Sequence, residues 1–355
     1  MIPATLPDNE KERLASLQRM NLLSTPRESD LDRITRTVKK FFRADAALLS
    51  LIDGDRQWFK SRIGTNVTET PRDVSFCAHA IHGSNVFVVE DATQDRRFSD
   101  NPMVKGGPQV RFYAGQPIKN TEGFAIGTLC VISRTAHMMS ADEREILQDL
   151  ARMAEIVMDN RNLGESQTAV LETVETKTRE TLIDGLTGLW NEQGYKRLVD
   201  AELALARRQQ DNLALAIFEI DGFDKLEASL GKEKAEDALA LTGDLLKRAT
   251  RSYDIVAHHG KGRFVVLVRG PDAGSRLTVT NLFVDGVFAE IRAHASISTG
   301  SAVQPFTVSG GIALLATGGR NMQTADSLFK SAEACLAKAR AGGPGRYELD
   351  DSGAA

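Results

Sequence analysis

Leu31, Ile34, Val38 and Phe41 recur at helical spacing within "STPRESDLDRITRTVKKFF", which predicts a helix with one buried face. Thr25 and Glu28 form a capping-box pair before it, and Pro26 suits the first helical position. A shorter helix is predicted upstream, over "EKERLASLQRMNLL". The period then changes. "DAALLSLIDGDRQWFKSRIG" reads as strand, Asp53-Gly54 turn, strand. "NVFVVEDA", "RFYAGQPI" and "AIGTLCVIS" add further strands. The result is an antiparallel sheet flanked by helices, ending near Ser133.

Ser140 and Glu143 form a second capping box. A helical pattern follows, unbroken by proline, to about Glu180. Ile146, Leu150, Met153 and Val157 make its apolar seam. The seam meets the poor core residues Asn160, Gly164 and Gln167, recovers at Leu171 and Val174, then weakens at Thr178 and Thr181. Such a length suits a two-stranded coiled coil with a loose middle. A helix packed on its own domain is the other reading.

Beyond it, strands and helices alternate: "LALAIFEIDGF", "EKAEDALALTGDLLKRATRSYD", the hairpin "IVAHHGKGRFVVLVRG", "VTNLFVDGVFAEIRA", "QPFTVSGGIALLA" and "TADSLFKSAEACLAKARAGG". The fold class is α+β: two α/β sandwich domains, each a sheet with flanking helices, joined by a long helix. The boundaries read 1–139 for the first domain, 140–181 for the linker, 182–348 for the second domain and 349–355 for a tail.

The chain has 355 residues and a formal net charge of −4. That length suits two domains with real cores. The charge argues against a broad nucleic-acid-binding face. No apolar run is long enough to span a bilayer, and the start lacks the layout of a signal peptide. Cys77, Cys130 and Cys335 form no CxxC pair and no disulfide framework. These features predict a reduced, soluble, cytoplasmic protein.

Four stretches of the second half resemble the GGDEF domains, the diguanylate cyclase family: "DGLTGLWN" from Asp184, "EIDGF" from Glu219, "VSGGI" from Val308, and "AEACLAK" ending at Lys338. Gly260, Lys261, Gly262, Arg263 and Phe264 then stand where the name-giving turn belongs. In the first half, "DRQWFKSRIG", "PRDVSFCAHAIH", "DNPMV" and "RFYAGQPI" resemble GAF domains, which implies a small-molecule sensor and a dimerisation module.

An active relative would join two GTP molecules into cyclic di-GMP across a dimer. The resemblance implies two carboxylate positions for Mg²⁺. Here the strand-end metal residue is Glu219, the turn's metal residue is Gly262 and the next acidic position is Arg263. Asp221 keeps the second acidic position of the strand end. Glu227 and Glu236 take the guanine-contacting places, and Lys338 matches the phosphate lysine; Arg346 is a misaligned candidate for the arginine beyond it. Catalysis is therefore not expected, and Mg²⁺ enters only with residual GTP binding, at Glu219 if anywhere. Lys261 and Arg263 read either as a solvated tip or as phosphate partners. Arg251 and Asp254 match the R-x-x-D inhibitory site that binds cyclic di-GMP. An arginine fork suits guanine O6 and N7, while a plain helix-end ion pair is the other reading. Arg276 is a candidate for a second arginine.

In "FCAHAIH", Cys77, His79 and His82 suggest metal or chromophore attachment, or core and helix-end roles. Trp58, Phe112 and Tyr113 read as pocket lining or core. The expected function is a cyclic di-GMP signalling protein, with a GAF sensor and a degenerate GGDEF domain that binds cyclic di-GMP. A weak cyclase and a dimeric scaffold without nucleotide are the alternatives. The expected partners are cyclic di-GMP, a second copy in a homodimer and a downstream protein, with no nucleic-acid polymer and no membrane. The sequence leaves the GAF ligand unidentified.

Overall fold

The computed structural model describes residues 1–160, 164–209, 211–270, 284–299, 302–315 and 324–350. The chain divides into two compact units, Met1–Asn162 and Leu163–Ala355. Among the described residues, no helix is long and apolar enough to cross a membrane.

The first unit contains α1 (Glu10–Arg19), α2 (Ser29–Phe41), α3 (Phe76–Ala80), α4 (Pro102–Lys105) and α5 (Ala141–Asp159). Its strands are β1 (Ala46–Ile52), β2 (Arg56–Ile63), β3 (Glu69–Pro71), β4 (Phe87–Val89), β5 (Phe112–Lys119) and β6 (Ala125–Ser133). They form one sheet in the order β3-β2-β1-β6-β5-β4, antiparallel throughout. Alternation along each strand sends side chains to opposite faces. Leu49, Leu51, Phe112, Leu129 and Val131 join a core with Leu31, Val38 and Leu147 of the helices. Leu48, Tyr113 and Cys130 join a second core with Phe76, Cys77 and Phe98. Each such apolar side chain contributes about 1.5–3 kcal/mol when fully buried.

The start of α2 differs from its sequence pattern. Glu28 is its N-cap residue, with no side-chain capping bond, and the helix begins at Ser29. Thr25 and Glu28 turn instead to Lys60, whose fully buried ammonium lies 2.6 Å from Thr25 Oγ1, 2.7 Å from the Pro26 carbonyl and 2.6 Å from Glu28 Oε1. A buried charge without partners is very costly, so neutralising Lys60 outweighs a local cap. Phe41, expected on the buried face, is 47% exposed. It packs edge-on against Phe42, which takes the inward place.

The capping box of α5 is present: Glu143 N–H donates to Ser140 Oγ, and Ser140 N–H to Glu143 Oε2. The helix read across 140–181 is divided, however. α5 stops at Asp159, and α6 (Glu165–Thr173) and α7 (Thr176–Glu180) follow. Gly164 and Val174 have extended backbones. Glycine costs about 1 kcal/mol in a helix interior, and the packing of Leu171 into the second unit rewards the break. On α5 the buried stripe is Leu147, Ala151, Ala154 and Met158. It lies one position beyond the predicted seam, whose Met153 is 53% exposed.

The second unit continues with α8 (Glu192–Gln209), β7 (Asn212–Ile220), α9 (Phe223–Leu230), α10 (Lys232–Ala249), β8 (Ile255–His258) and β9 (Arg263–Gly270). After these come α11 (Asp285–His294), a ribbon of β10 (Ser296–Ser298) and β11 (Val303–Pro305), β12 (Val308–Leu315), α12 (Ala325–Ala341) and β13 (Tyr347–Asp350). The sheet order is β13-β12-β7-β9-β8. Among the described strands of this sheet, only β12 and β13 pair in parallel. Ala214, Ala216, Phe218 and Phe264 pack towards α10 and α11. Leu215, Ile217, Val265 and Ala313 pack towards α8 and α12. By parity, Glu219 and Arg263 lie on this second face, with α12.

Candidate functional site

β7 ends at Ile220, and Gly222 turns the chain into α9 with φ +67°. The turn between β8 and β9 lies beside this strand end. His259 N–H donates to the Arg263 carbonyl at 2.8 Å, and Arg263 N–H to the Gly260 carbonyl at 2.8 Å. Gly260, Lys261 and Gly262 all have positive φ, at 76°, 44° and 77°. Glycine takes that conformation freely and lysine does not, so the strain sits at Lys261, which is exposed at the tip. Gly262 is buried. A Cβ there would lie 2.8 Å from Phe223 Cγ.

Glu219 and Arg263 are direct partners in the β7–β9 register. Arg263 Nε donates to Glu219 Oε2 at 2.6 Å, and its Nη1 reaches Glu333 Oε1 of α12 at 3.3 Å. Arg340 Nη1 lies 2.6 Å from Glu219 Oε1. Each oxygen of Glu219 therefore carries a guanidinium, and two carboxylates meet two cations. Charge-assisted bonds of this kind are the strong ones.

Asp221 has a different task. Its carboxylate accepts from Thr307 Oγ1 at 2.7 Å, Ser309 Oγ at 2.7 Å and Gly345 N–H at 2.8 Å. It clasps the segment before β13 to the sheet. Beside it lies a cavity of about 680 Å³, lined by Asp221, Leu226, Leu230, Pro305, Phe306 and Thr307 among others. Glu227 is exposed on α9, and Glu236 pairs with Lys232 at 3.6 Å on α10. Neither lines the cavity. Lys338 is exposed on α12; Arg346, beyond the end of that helix, is also exposed, and its carbonyl accepts from Gly310 N–H.

Arg251 and Asp254 lie just past the end of α10, not in its last turn. Asp254 Oδ2 accepts the backbone N–H of Arg251 at 2.8 Å, and Asp254 N–H donates to the Arg251 carbonyl at 3.1 Å. The carboxylate thus closes the turn. The exposed Arg251 guanidinium donates to Tyr253 Oη at 2.6 Å and lies over that ring. Gln167 of α6 donates to the Tyr253 carbonyl at 3.0 Å, which docks the linker on the same turn. Arg276 lies outside the described residues.

Asp254 is buried, and its Oδ1 has no hydrogen-bond partner among the described residues. Burial raises its pKa from 3.8 to about 6, against the lowering effects of the Arg251 N–H, Lys247 and Arg251. A carboxyl raised on folding binds its proton more tightly in the native state. Stability from this group is therefore greatest below about pH 4 and falls as pH rises towards 6, by about 3 kcal/mol at about 1.4 kcal/mol per unit. Asp254→Asn is expected to flatten the urea-unfolding stability of the second unit between these limits. An unchanged slope would refute the assignment.

Residues 26–158 match the family model of the GAF domain, and residues 181–346 match that of the diguanylate cyclase GGDEF domain. The chain is a GAF domain followed by a GGDEF domain. A cyclic di-GMP phosphodiesterase of Pseudomonas aeruginosa is 38% identical over 187 residues, which are 52% of this chain and 29% of that protein. The diguanylate cyclase DgcS of Shewanella oneidensis is 28% identical over 170 residues, 48% of this chain and 53% of that protein. The chain thus spans about half or less of the length of these curated relatives. The crystal structure of the GGDEF domain of DgcB from Caulobacter crescentus in complex with c-di-GMP superposes with a TM-score of 0.43 at 20% identity, over 47% of this chain and 95% of that one.

In the GAF domain, Cys77, His79 and His82 diverge. The Cys77 side chain is buried against Cys130. The His79 and His82 rings bond to the carbonyls of Ile2 and Thr5. Among the described residues, no group of three or more His, Cys, Asp or Glu is placed to hold a metal. Phe112 and Tyr113 fill the cores on opposite faces of the sheet, and Trp58 is partly buried against the first of them.

In the GGDEF domain, sequence reasoning missed Arg340 and Glu333. A signal existed: Glu333, Leu336 and Arg340 share one helix face at i, i+3 and i+7, and Leu336 is buried on the sheet.

Proposed function

We propose that this GGDEF domain is a regulatory domain that responds to cyclic di-GMP and does not make it. One observation carries the reading: Glu219 is held between Arg263 and Arg340, where the strand-end metal ligand of a cyclase would be. Mg²⁺ needs several oxygen ligands in near-octahedral geometry. Gly262 offers no side chain, and both oxygens of Glu219 are already engaged. The residues present do not fit the ion. Incubation of the full chain with GTP and Mg²⁺ is expected to yield no cyclic di-GMP. Product that vanishes in Glu219→Gln would overturn the reading.

The binding surface we assign is the turn after α10. Arg251 supplies a guanine fork, and Asp254 presents it by fixing the backbone. The two curated relatives carry cyclic di-GMP or diguanylate activities in their names, which supports this ligand class. Titration calorimetry with cyclic di-GMP is expected to show binding that Arg251→Ala weakens about 5- to 150-fold, the effect of losing one bidentate guanine contact at about 1–3 kcal/mol. Equal binding by the variant would sink the assignment. No melting shift of the wild type with cyclic di-GMP or GTP would favour a scaffold instead.

The outward face of α5 supports self-association. Met153 and Ile156 are 53% and 49% exposed, Ile146 is partly exposed beside them, and Leu150 and Val157 pack partly against the GAF core. The heptad spacing of 146, 150, 153 and 157 suits a second copy of the same helix. Met153→Glu is expected to shift sedimentation towards monomer. A wild type already monomeric at high concentration would refute the dimer.

A further inference from the structure

The core of the GAF domain contains a thiol pair that has no part in the proposed cyclic di-GMP response. Cys77 on α3 and Cys130 on β6 place their sulfurs 3.7 Å apart. Both residues are almost wholly buried, at 1% and 0% exposure. Tyr113 Oη donates to Cys77 Sγ at 3.2 Å. Ser50 and Thr128 are direct partners in the β1–β6 register, one pair along from Leu49 and Leu129. Their hydroxyls are buried, form no well-aligned hydrogen bond among the described residues, and lie close enough to Cys77 to favour its thiolate. Five polarisable or polar side chains therefore gather on the sheet face that carries the core of Phe76 and Phe98.

Hydroxyls without acceptors are costly in an apolar core. An anionic sulfur among them offsets that cost. Burial raises the Cys77 thiol, but Cys130, Thr128, Tyr113 and Ser50 together bring it below the ordinary thiol value. The hydrogen bond with Cys77, burial and the charge of Cys77 push Cys130 well up. Cys77, which accepts from Tyr113 Oη, is thus the nucleophile, and Cys130 keeps its proton nearby.

We propose that Cys77 and Cys130 are a peroxide-oxidisable dithiol that closes to a disulfide inside the GAF core. The Cys77 thiolate attacks one oxygen of hydrogen peroxide, and the O–O bond breaks. Cys77 becomes a sulfenic acid, and the departing hydroxide takes the Cys130 proton to form water. The Cys130 thiolate then attacks the Cys77 sulfur and expels hydroxide. That hydroxide takes up the proton Cys77 released on ionising. Two thiols are oxidised, peroxide is reduced, and two waters form. The sulfurs close from 3.7 Å to about 2.0 Å, a small movement for α3, a helix of only five residues.

The test uses the reduced full chain, treated with hydrogen peroxide, quenched with catalase, alkylated in denaturant and mapped by peptide mass spectrometry. The expected result is a Cys77–Cys130 crosslink that dithiothreitol reverses, with Cys335, the remaining one of the three free cysteines, still alkylated. In Cys130→Ala, dimedone is expected to capture the Cys77 sulfenic acid. The proposal is overturned if Cys335 oxidises while the pair stays alkylatable. It is equally overturned if the crosslink forms no faster in folded protein than in protein unfolded in urea. The wild-type comparison needs no variant to fold.

Discussion

Gly311→Ala is expected to be among the most damaging small substitutions in the GGDEF domain. A Cβ there would stand 2.1 Å from the Ala332 carbonyl oxygen and 2.1 Å from Leu336 N. Both are backbone atoms of α12, so no side chain can rotate away. The helix must lift from β12, which loosens Leu328, Ala332 and Leu336, draws Arg340 off Glu219 and draws Glu333 off Arg263. Overpacking alone costs about 1–3 kcal/mol, and the lost helix–sheet contact takes the expected loss beyond about 3 kcal/mol. Gly310→Ala provides the comparison. Its Cβ meets the rings of Phe218 and Phe288 at 3.2–3.4 Å, and rings can shift, so about 1 kcal/mol is expected. Urea unfolding of both variants, followed through the transition of the second domain, checks this. Equal midpoints for the two would refute the close approach.

Arg263→Glu is expected to convert an ion-pair cluster into a cation site. The new carboxylate would stand opposite Glu219 in register, with Glu333 nearby. Like charges directly opposite on a sheet are destabilising, and the lost pair is partly solvated, with Arg263 36% exposed. A loss of about 1–2 kcal/mol is expected, smaller at high salt. Mg²⁺ or Mn²⁺ should restore part of the melting temperature in the variant and leave the wild type unchanged, since a ligand stabilises only the state that binds it. Stabilisation of the wild type by Mg²⁺ would show that the guanidiniums have not taken the metal's place.

Strand positions were legible in the sequence wherever period-two patterns met a turn signal. β1, the Asp53-Gly54 turn and β2 are an example, and the β8–β9 hairpin is another. Helix ends were less legible, because distant partners decide them. Nothing near Thr25 announces that a lysine thirty-five residues away will claim both members of its capping box. The seam of α5 was legible as a pattern, but its burial was not. Two apolar stripes run side by side, and only packing against β5 and α2 determines that Leu147 faces inward and Met153 outward.

By itself, the sequence determined that two α+β domains are joined in series, that the GGDEF turn carries Lys261, Gly262 and Arg263, and that an R-x-x-D stands just before that hairpin. These are properties of local pattern and motif order. Only the tertiary structure decided what those side chains touch. The β7–β9 register puts Arg263 on Glu219. The absent side chain at Gly311 lets α12 bring Arg340 to the same carboxylate. The turn after α10 folds Asp254 onto the backbone of Arg251 instead of its guanidinium. Ion pairs and buried hydrogen bonds join residues far apart in the chain, so their partners follow from packing and not from spacing.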